Sequence, residues 1–123
     1  MKHINGASLP HKPADPNNFV LPATMQRLLG RDDGEPVRLY RVSFERDART
    51  NWHTHNDTQL LFGLSGRCVV VERAGDELVL NPGDVAVIEA GVEHWHGSAP
   101  GGPGAHLAIN VGTETDWLDS SAG

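Results

Sequence analysis

With 123 residues, the chain has material for one compact domain and too little for two barrels. Its 10 Lys and Arg against 16 Asp and Glu leave a net charge of −6, which excludes the basic stripe that nucleic acid selects. The single cysteine, Cys68, rules out an internal disulfide and suits a reducing compartment, and no apolar run reaches the length of a membrane span. The expectation is a cytoplasmic protein with neither a nucleic-acid nor a membrane partner. A domain of this size buries a core without a metal staple, so a metal here would serve function rather than folding.

Residues 1–18 are polar, carry Pro10, Pro13 and Pro16, and are expected to form an irregular arm. Residues 19–29 admit either a strand or a short helix; Met25-Gln26-Arg27-Leu28-Leu29 favours helix by propensity. From Val37 onward short apolar stretches alternate with turn residues. Strands are expected at 37–45, 51–55, 58–64, 67–73, 77–80, 85–89, 93–97 and 105–112. Ser65-Gly66 reads as a hairpin turn, and Asn81-Pro82-Gly83-Asp84 has the proline and glycine positions of a type II turn. Many short strands at even spacing indicate an all-β sandwich or barrel, expected over 19–112. The tail 113–123 carries Trp117 and Leu118, which are expected to dock on it.

Five of the seven histidines fall in this β region: His53, His55, His94, His96 and His106. Strand residues two apart share a face, so His53 and His55 point one way together, as do His94 and His96. Three neutral imidazoles with one oxygen ligand and an open position make a Lewis-acid metal site. The spacing alone does not separate such a site from a solvent-facing strand.

The two histidine clusters sit in a longer pattern. Asp47, His53-Thr54-His55, Gln59 and Gly66 fall at the places of the first conserved motif of the cupin superfamily: glycine, H-x-H, glutamate, glycine. Gly83, Gly91 and His94 match the second motif, with Glu89 at its proline and Ser98 at its asparagine. The runs 48–55, His94-Trp95-His96-Gly97 and His106-Leu107-Ala108-Ile109, with Gln59, resemble the small bacterial cupins described as manganese-dependent hydroxynitrile lyases, and related carboxymuconolactone-decarboxylase-associated cupins. The resemblance implies a single cupin jelly-roll β-barrel, with residues 19–29 as a strand. It implies one divalent metal ion per chain on His53, His55, Gln59 and His94. Manganese leads, with Fe, Zn, Ni and Co compatible with the same donors. It also implies a homodimer or a tetramer. Gln59 in place of the glutamate leaves the ion's dipositive charge uncompensated, which makes a stronger Lewis acid and a weaker binder.

Around this site, His106, His96 and Thr50 are the candidate catalytic residues. His106 shares the inward row of its strand with Ala108 and Asn110, and a neutral imidazole there would accept a proton; the alternative is a packed core histidine. His96 would take the same role or orient a ligand. Thr50 would hydrogen-bond a substrate oxygen or stand as an ordinary strand-edge threonine. Tyr40, Val42 and Asn110 are expected to line the substrate pocket, and Tyr40 narrows it where the lyases carry a small residue. Trp52 and Trp95, each one residue off a ligand, should face away from the metal. The leading function is a lyase acting on a small hydroxyl- or carbonyl-bearing molecule, such as a cyanohydrin. Its rivals are an Fe(II) oxygenase on the same ligands and a non-catalytic binder of a small molecule or metal.

Overall fold

The computed structural model describes residues 1–122. Thirteen strands run in chain order: β1 (Lys12–Pro13), β2 (Phe19–Val20), β3 (Ala23–Leu29), β4 (Arg38–Phe44), β5 (Arg49–Thr50), β6 (His53–His55), β7 (Gln59–Gly66), β8 (Cys68–Glu72), β9 (Glu77–Leu80), β10 (Val85–Ile88), β11 (His94–Ser98), β12 (Gly104–Asn110) and β13 (Thr115–Trp117). The only helical turns among the described residues are short 3-10 segments at Gly6–Ser8 and Arg31–Asp33.

These strands form two antiparallel sheets packed face to face as a jelly roll. The first has the order β1-β3-β4-β12-β7-β10. In the second, β9 pairs β8 and β8 pairs β11; β11 then meets β5 and β6, which lie end to end, with β2 beside β5 and β13 beside β6. Burial alternates cleanly along β12, where Gly104, His106, Ala108 and Asn110 are buried and Ala105, Leu107 and Ile109 only partly so. Leu61, Cys68, Val70, Leu80, Ala86, Ile88 and Ala108 make one apolar cluster, and Ala23, Val42, Phe44 and Ala48 a second. Tyr40 packs against both.

The backbone departs from the expected strands in four places. Residues 19–29 form two strands in different sheets, not one: β2 pairs β5 and β3 pairs β4. The crossing falls at Leu21-Pro22, where Leu21 has φ +63° and the proline offers no N–H to a ladder. Residues 51–55 are likewise broken, with only His53–His55 in β6. The stretch 1–18, expected as an irregular arm, contributes β1, which pairs two residues of β3. The tail supplies β13, which pairs all of β6; its last residue, Gly123, lies outside the described residues.

Asn81-Pro82-Gly83-Asp84 forms the expected turn, but Ser65-Gly66 makes no hairpin: both lie in β7, opposite Ala105 and Gly104 of β12, and the chain there passes to β8 in the other sheet. Gly83 has φ +89°, and the Asp84 N–H donates to the Asn81 carbonyl at 2.9 Å. At Gly66, φ is +59° and an added Cβ would lie 2.2 Å from the Pro103 carbonyl oxygen, so no side chain fits. Asp47, at the place of the first motif glycine, has φ +63°, a conformation aspartate tolerates better than most residues.

Candidate metal centre

The two H-x-H segments become neighbours because β6 and β11 pair with His53 opposite His94. The i, i+2 rule then turns His53, His55, His94 and His96 into the space between the sheets, where all four are buried. From the opposite sheet β7 brings Gln59, and β12 brings Asn110 and His106, also buried. Ring centroids of His53 and His94 are 4.3 Å apart, those of His53 and His55 5.0 Å, and those of His55 and His94 5.4 Å. One ring nitrogen each of His53, His94 and His96 lies within 4.8 Å of the others.

Hydrogen bonds fix which nitrogens are free. His53 Nδ1 lies 2.8 Å from the Asn51 carbonyl and His94 Nδ1 2.9 Å from the Val92 carbonyl. A carbonyl only accepts, so both Nδ1 atoms carry the proton, and both Nε2 atoms present a bare lone pair. His55 Nδ1 meets the Thr115 hydroxyl at 3.0 Å, and its Nε2 is buried without a partner. Gln59 Nε2 donates to Asn110 Oδ1 at 3.0 Å, which turns Gln59 Oε1 toward the histidines, 3.1 Å from His94 Nε2. Two acceptors thus face each other in a buried space. Donors bound at right angles to a common ion, each about 2.1 Å from it, stand about 3 Å apart. The His53, His94 and His96 cluster, with Gln59 Oε1 against His94 and the bare Nε2 of His55 nearby, therefore has the donor chemistry to hold a divalent cation.

Burial is the main force on the imidazole protonation states. It lowers the pKa of His94, and together with the neighbouring His94 it drives His53 well below its ordinary value and His55 down to about 4. His96 is lowered well below the ordinary value by burial and by the adjacent His106, and burial pushes His106 to about 4. All five are neutral, as metal or proton acceptors must be.

A cavity of about 250 Å³ opens beside these donors, bordered by His53, His55, Gln59, His96, Thr50, Tyr40, Val42, Asn110 and Arg38, among others. The expected pocket residues Tyr40, Val42 and Asn110 all border it. Thr50 does too, but its hydroxyl already accepts the His96 backbone N–H at 3.2 Å. His106 is not on the cavity wall. It stands behind His96, with Nε2 2.9 Å from His96 Nδ1, against the Phe44 ring. Trp52 and Trp95 face away and pack edge to face with ring centroids 6.4 Å apart, under Arg73 and Arg49.

Sequence reasoning gave no site role to three residues, of which Trp117 was expected only to dock on the barrel. Thr115, on β13, orients His55. Trp117, two residues on, lays its ring 4.7 Å from that of His53. No local pattern announces either, because both depend on the tail pairing β6. Arg38 shares the inward parity of Tyr40 and Val42, so alternation along β4 contained its signal.

The cupin domain family pattern matches residues 40–114. A protein of Granulicella tundricola named (R)-mandelonitrile lyase is 42% identical over 82 residues, covering 63% of this chain and 62% of its own length. The chain thus spans under two thirds of that relative. A cupin-like protein from Thermotoga maritima superposes with a TM-score of 0.84 at 30% identity, covering 92% of this chain and 89% of that one. A polyketide cyclase from Streptomyces resistomycificus shares the fold, with a TM-score of 0.75 at 17% identity over 99% of this chain and 88% of its own.

The buried neutral histidines make stability depend on pH. Each has a folded pKa below its unfolded value near 6.5, so its contribution is present above that value and is lost as pH falls toward 4. For His106 alone the loss by pH 5 is about 2 kcal/mol. Urea unfolding of metal-free protein should therefore show a midpoint that drops steeply from pH 7 to pH 5. The drop should be shallower in His106→Ala; a midpoint independent of pH would contradict the buried neutral cluster.

Proposed function

The chain belongs to the cupin domain family, and from that premise we propose that it is a divalent-metal lyase whose ion is held by His53, His55, Gln59 and His94. The observation that carries this reading is the lone pair of His94 Nε2 facing Gln59 Oε1 at 3.1 Å, with both side chains locked from behind. That pair repels unless a cation joins it. His55 completes the set in this reading because its Nε2 is buried with no other partner; His96, with a ring nitrogen within 4.8 Å of those of His53 and His94, is the rival donor. Imidazole and carboxamide donors suit Mn(II), our preferred ion, and also Fe, Zn, Co and Ni.

A divalent ion so bound supplies Lewis acidity toward a substrate hydroxyl or carbonyl oxygen. The chain supplies the rest. His96 borders the cavity as a neutral base, and His106 behind it shares the single proton between their facing nitrogens. For a cyanohydrin, the hydroxyl proton passes to His96 as the carbonyl forms. The carbon–carbon bond pair leaves with the nitrile carbon, and the proton then returns to cyanide. The 42% identity to a protein named mandelonitrile lyase supports this chemistry. Tyr40 and Met25 close the cavity to a size for small substrates.

Metal analysis of untagged variants checks the ligand set. His55→Ala should lose most of its metal and stay folded, while His96→Ala should keep it. Gln59→Glu should bind metal more tightly, with the Asn110 amide turned to donate to the new carboxylate. Full occupancy in His55→Ala, or metal loss in His96→Ala, would contradict the set.

Cyanide release from mandelonitrile by metal-loaded protein checks the chemistry. His96→Ala and His106→Ala should each lose about a hundredfold in kcat with metal retained. Because the two act through one shared proton, the double variant should be no slower than the slower single one. Multiplicative losses would separate their roles, and stoichiometric oxygen uptake without cyanide release would contradict the lyase.

A further inference from the structure

Arg38 opens β4 on the same inward row as Tyr40 and Val42, and it borders the cavity. It also shares one rung of the sheet with the donor set. Arg38 lies opposite Asn110 on β12, and Asn110 lies opposite Gln59 on β7. Adjacent strands stand about 4.8 Å apart, so Arg38 and Gln59 rise from the same wall about 10 Å apart.

The guanidinium is incompletely satisfied. Nε donates to the Gly112 carbonyl at 3.2 Å, but Nη2 is buried without a partner. Among the described residues, ion pairs are made by Lys2, Arg27 and Arg73, and none by Arg38. Asp15 also borders the cavity, but it is exposed and its Oδ1 accepts the Asn17 N–H at 2.9 Å. A permanently charged group half-buried beside apolar walls, with no counter-charge, is costly in a chain that has acidic residues to spare. Arg38 is close enough to His55 to help hold that imidazole neutral.

We propose that Arg38 anchors a carboxylate, so that the cavity takes small hydroxy- or oxo-carboxylates in preference to neutral molecules such as the cyanohydrin. The hydroxyl or carbonyl oxygen points toward Gln59 and the histidines, and the carboxylate toward Arg38. A planar carboxylate accepts two guanidinium N–H groups in parallel, which a lysine in this position could not reproduce. A cavity of about 250 Å³ limits the acid to a small one. The hydroxyl end rests on the metal-site reading above; the carboxylate end rests on Arg38 alone.

Calorimetric titration with mandelate and with its neutral isostere mandelamide tests this on metal-free and Mn(II)-loaded full-length protein. The metal-free wild type should bind mandelate at least about tenfold more tightly than mandelamide. Arg38→Gln should abolish that preference and leave mandelamide affinity within about twofold, and Arg38→Lys should restore only part of it. Equal affinities in the wild type, no saturable binding of mandelate, or a preference that survives in Arg38→Gln would each overturn the proposal. So would a preference that appears only after loading with Mn(II), since the ion would then be taking the carboxylate. The wild-type comparison decides the matter even if a variant fails to fold. Failure of the metal reading shows separately, as protein that takes up no Mn(II) and still prefers mandelate.

Discussion

Two lone pairs held face to face in a buried space organise this molecule. His94 Nε2 and Gln59 Oε1 come from different sheets, and each is locked from behind, one by the Val92 carbonyl and the other by Asn110. As oriented, neither presents a proton to the other, and a cation at this point satisfies both lone pairs at once. His53 and His55 add their own uncommitted nitrogens around the same space.

The jelly roll makes such an arrangement affordable in structural terms. The donor set needs contributions from both sheets, and the pairing of β6 with β11 and of β7 with β12 delivers them as opposed rows. The tail then closes over the histidines, with the Thr115 hydroxyl on His55 and the Trp117 ring on His53. The apolar cluster at Leu61 supplies a core made by other side chains, while the Phe44 ring packs directly on His106. Arg38 places a second, unmatched positive charge on the cavity wall, and the same rung that holds Gln59 holds it.

Much of this was legible from period-two alternation. His53-Thr54-His55 and His94-Trp95-His96 had to point inward together, and His106, Ala108 and Asn110 had to share a row, because neighbours two apart on a strand share a face. Gly83 marked a turn whose backbone no other residue takes easily, whereas Gly66, read as a hairpin turn, ends β7 where the chain leaves one sheet for the other. Long-range placement was not legible. That His106 sits behind His96, off the cavity wall, depends on how β11 and β12 face each other across the barrel. The switch of sheets at Leu21-Pro22 depends on β5 and β4 offering edges in different sheets, which no local propensity encodes. The roles of Thr115 and Trp117 follow from one tail pairing, with the same cause.

The central claim is a preformed site of neutral donors, and the protons displaced by the metal report on it directly. Burial has lowered the pKa values of His53, His55 and His94, so at pH 6 the folded chain carries fewer protons on these imidazoles than three ordinary histidines would. Calorimetric titration of Mn(II) into metal-free protein at pH 6, in two buffers of different ionisation enthalpy, yields stoichiometry and proton release together. The account predicts one ion per chain and a release below about one proton. The absence of saturable one-to-one binding, or release of about two protons as three ordinary histidines would give, would contradict it.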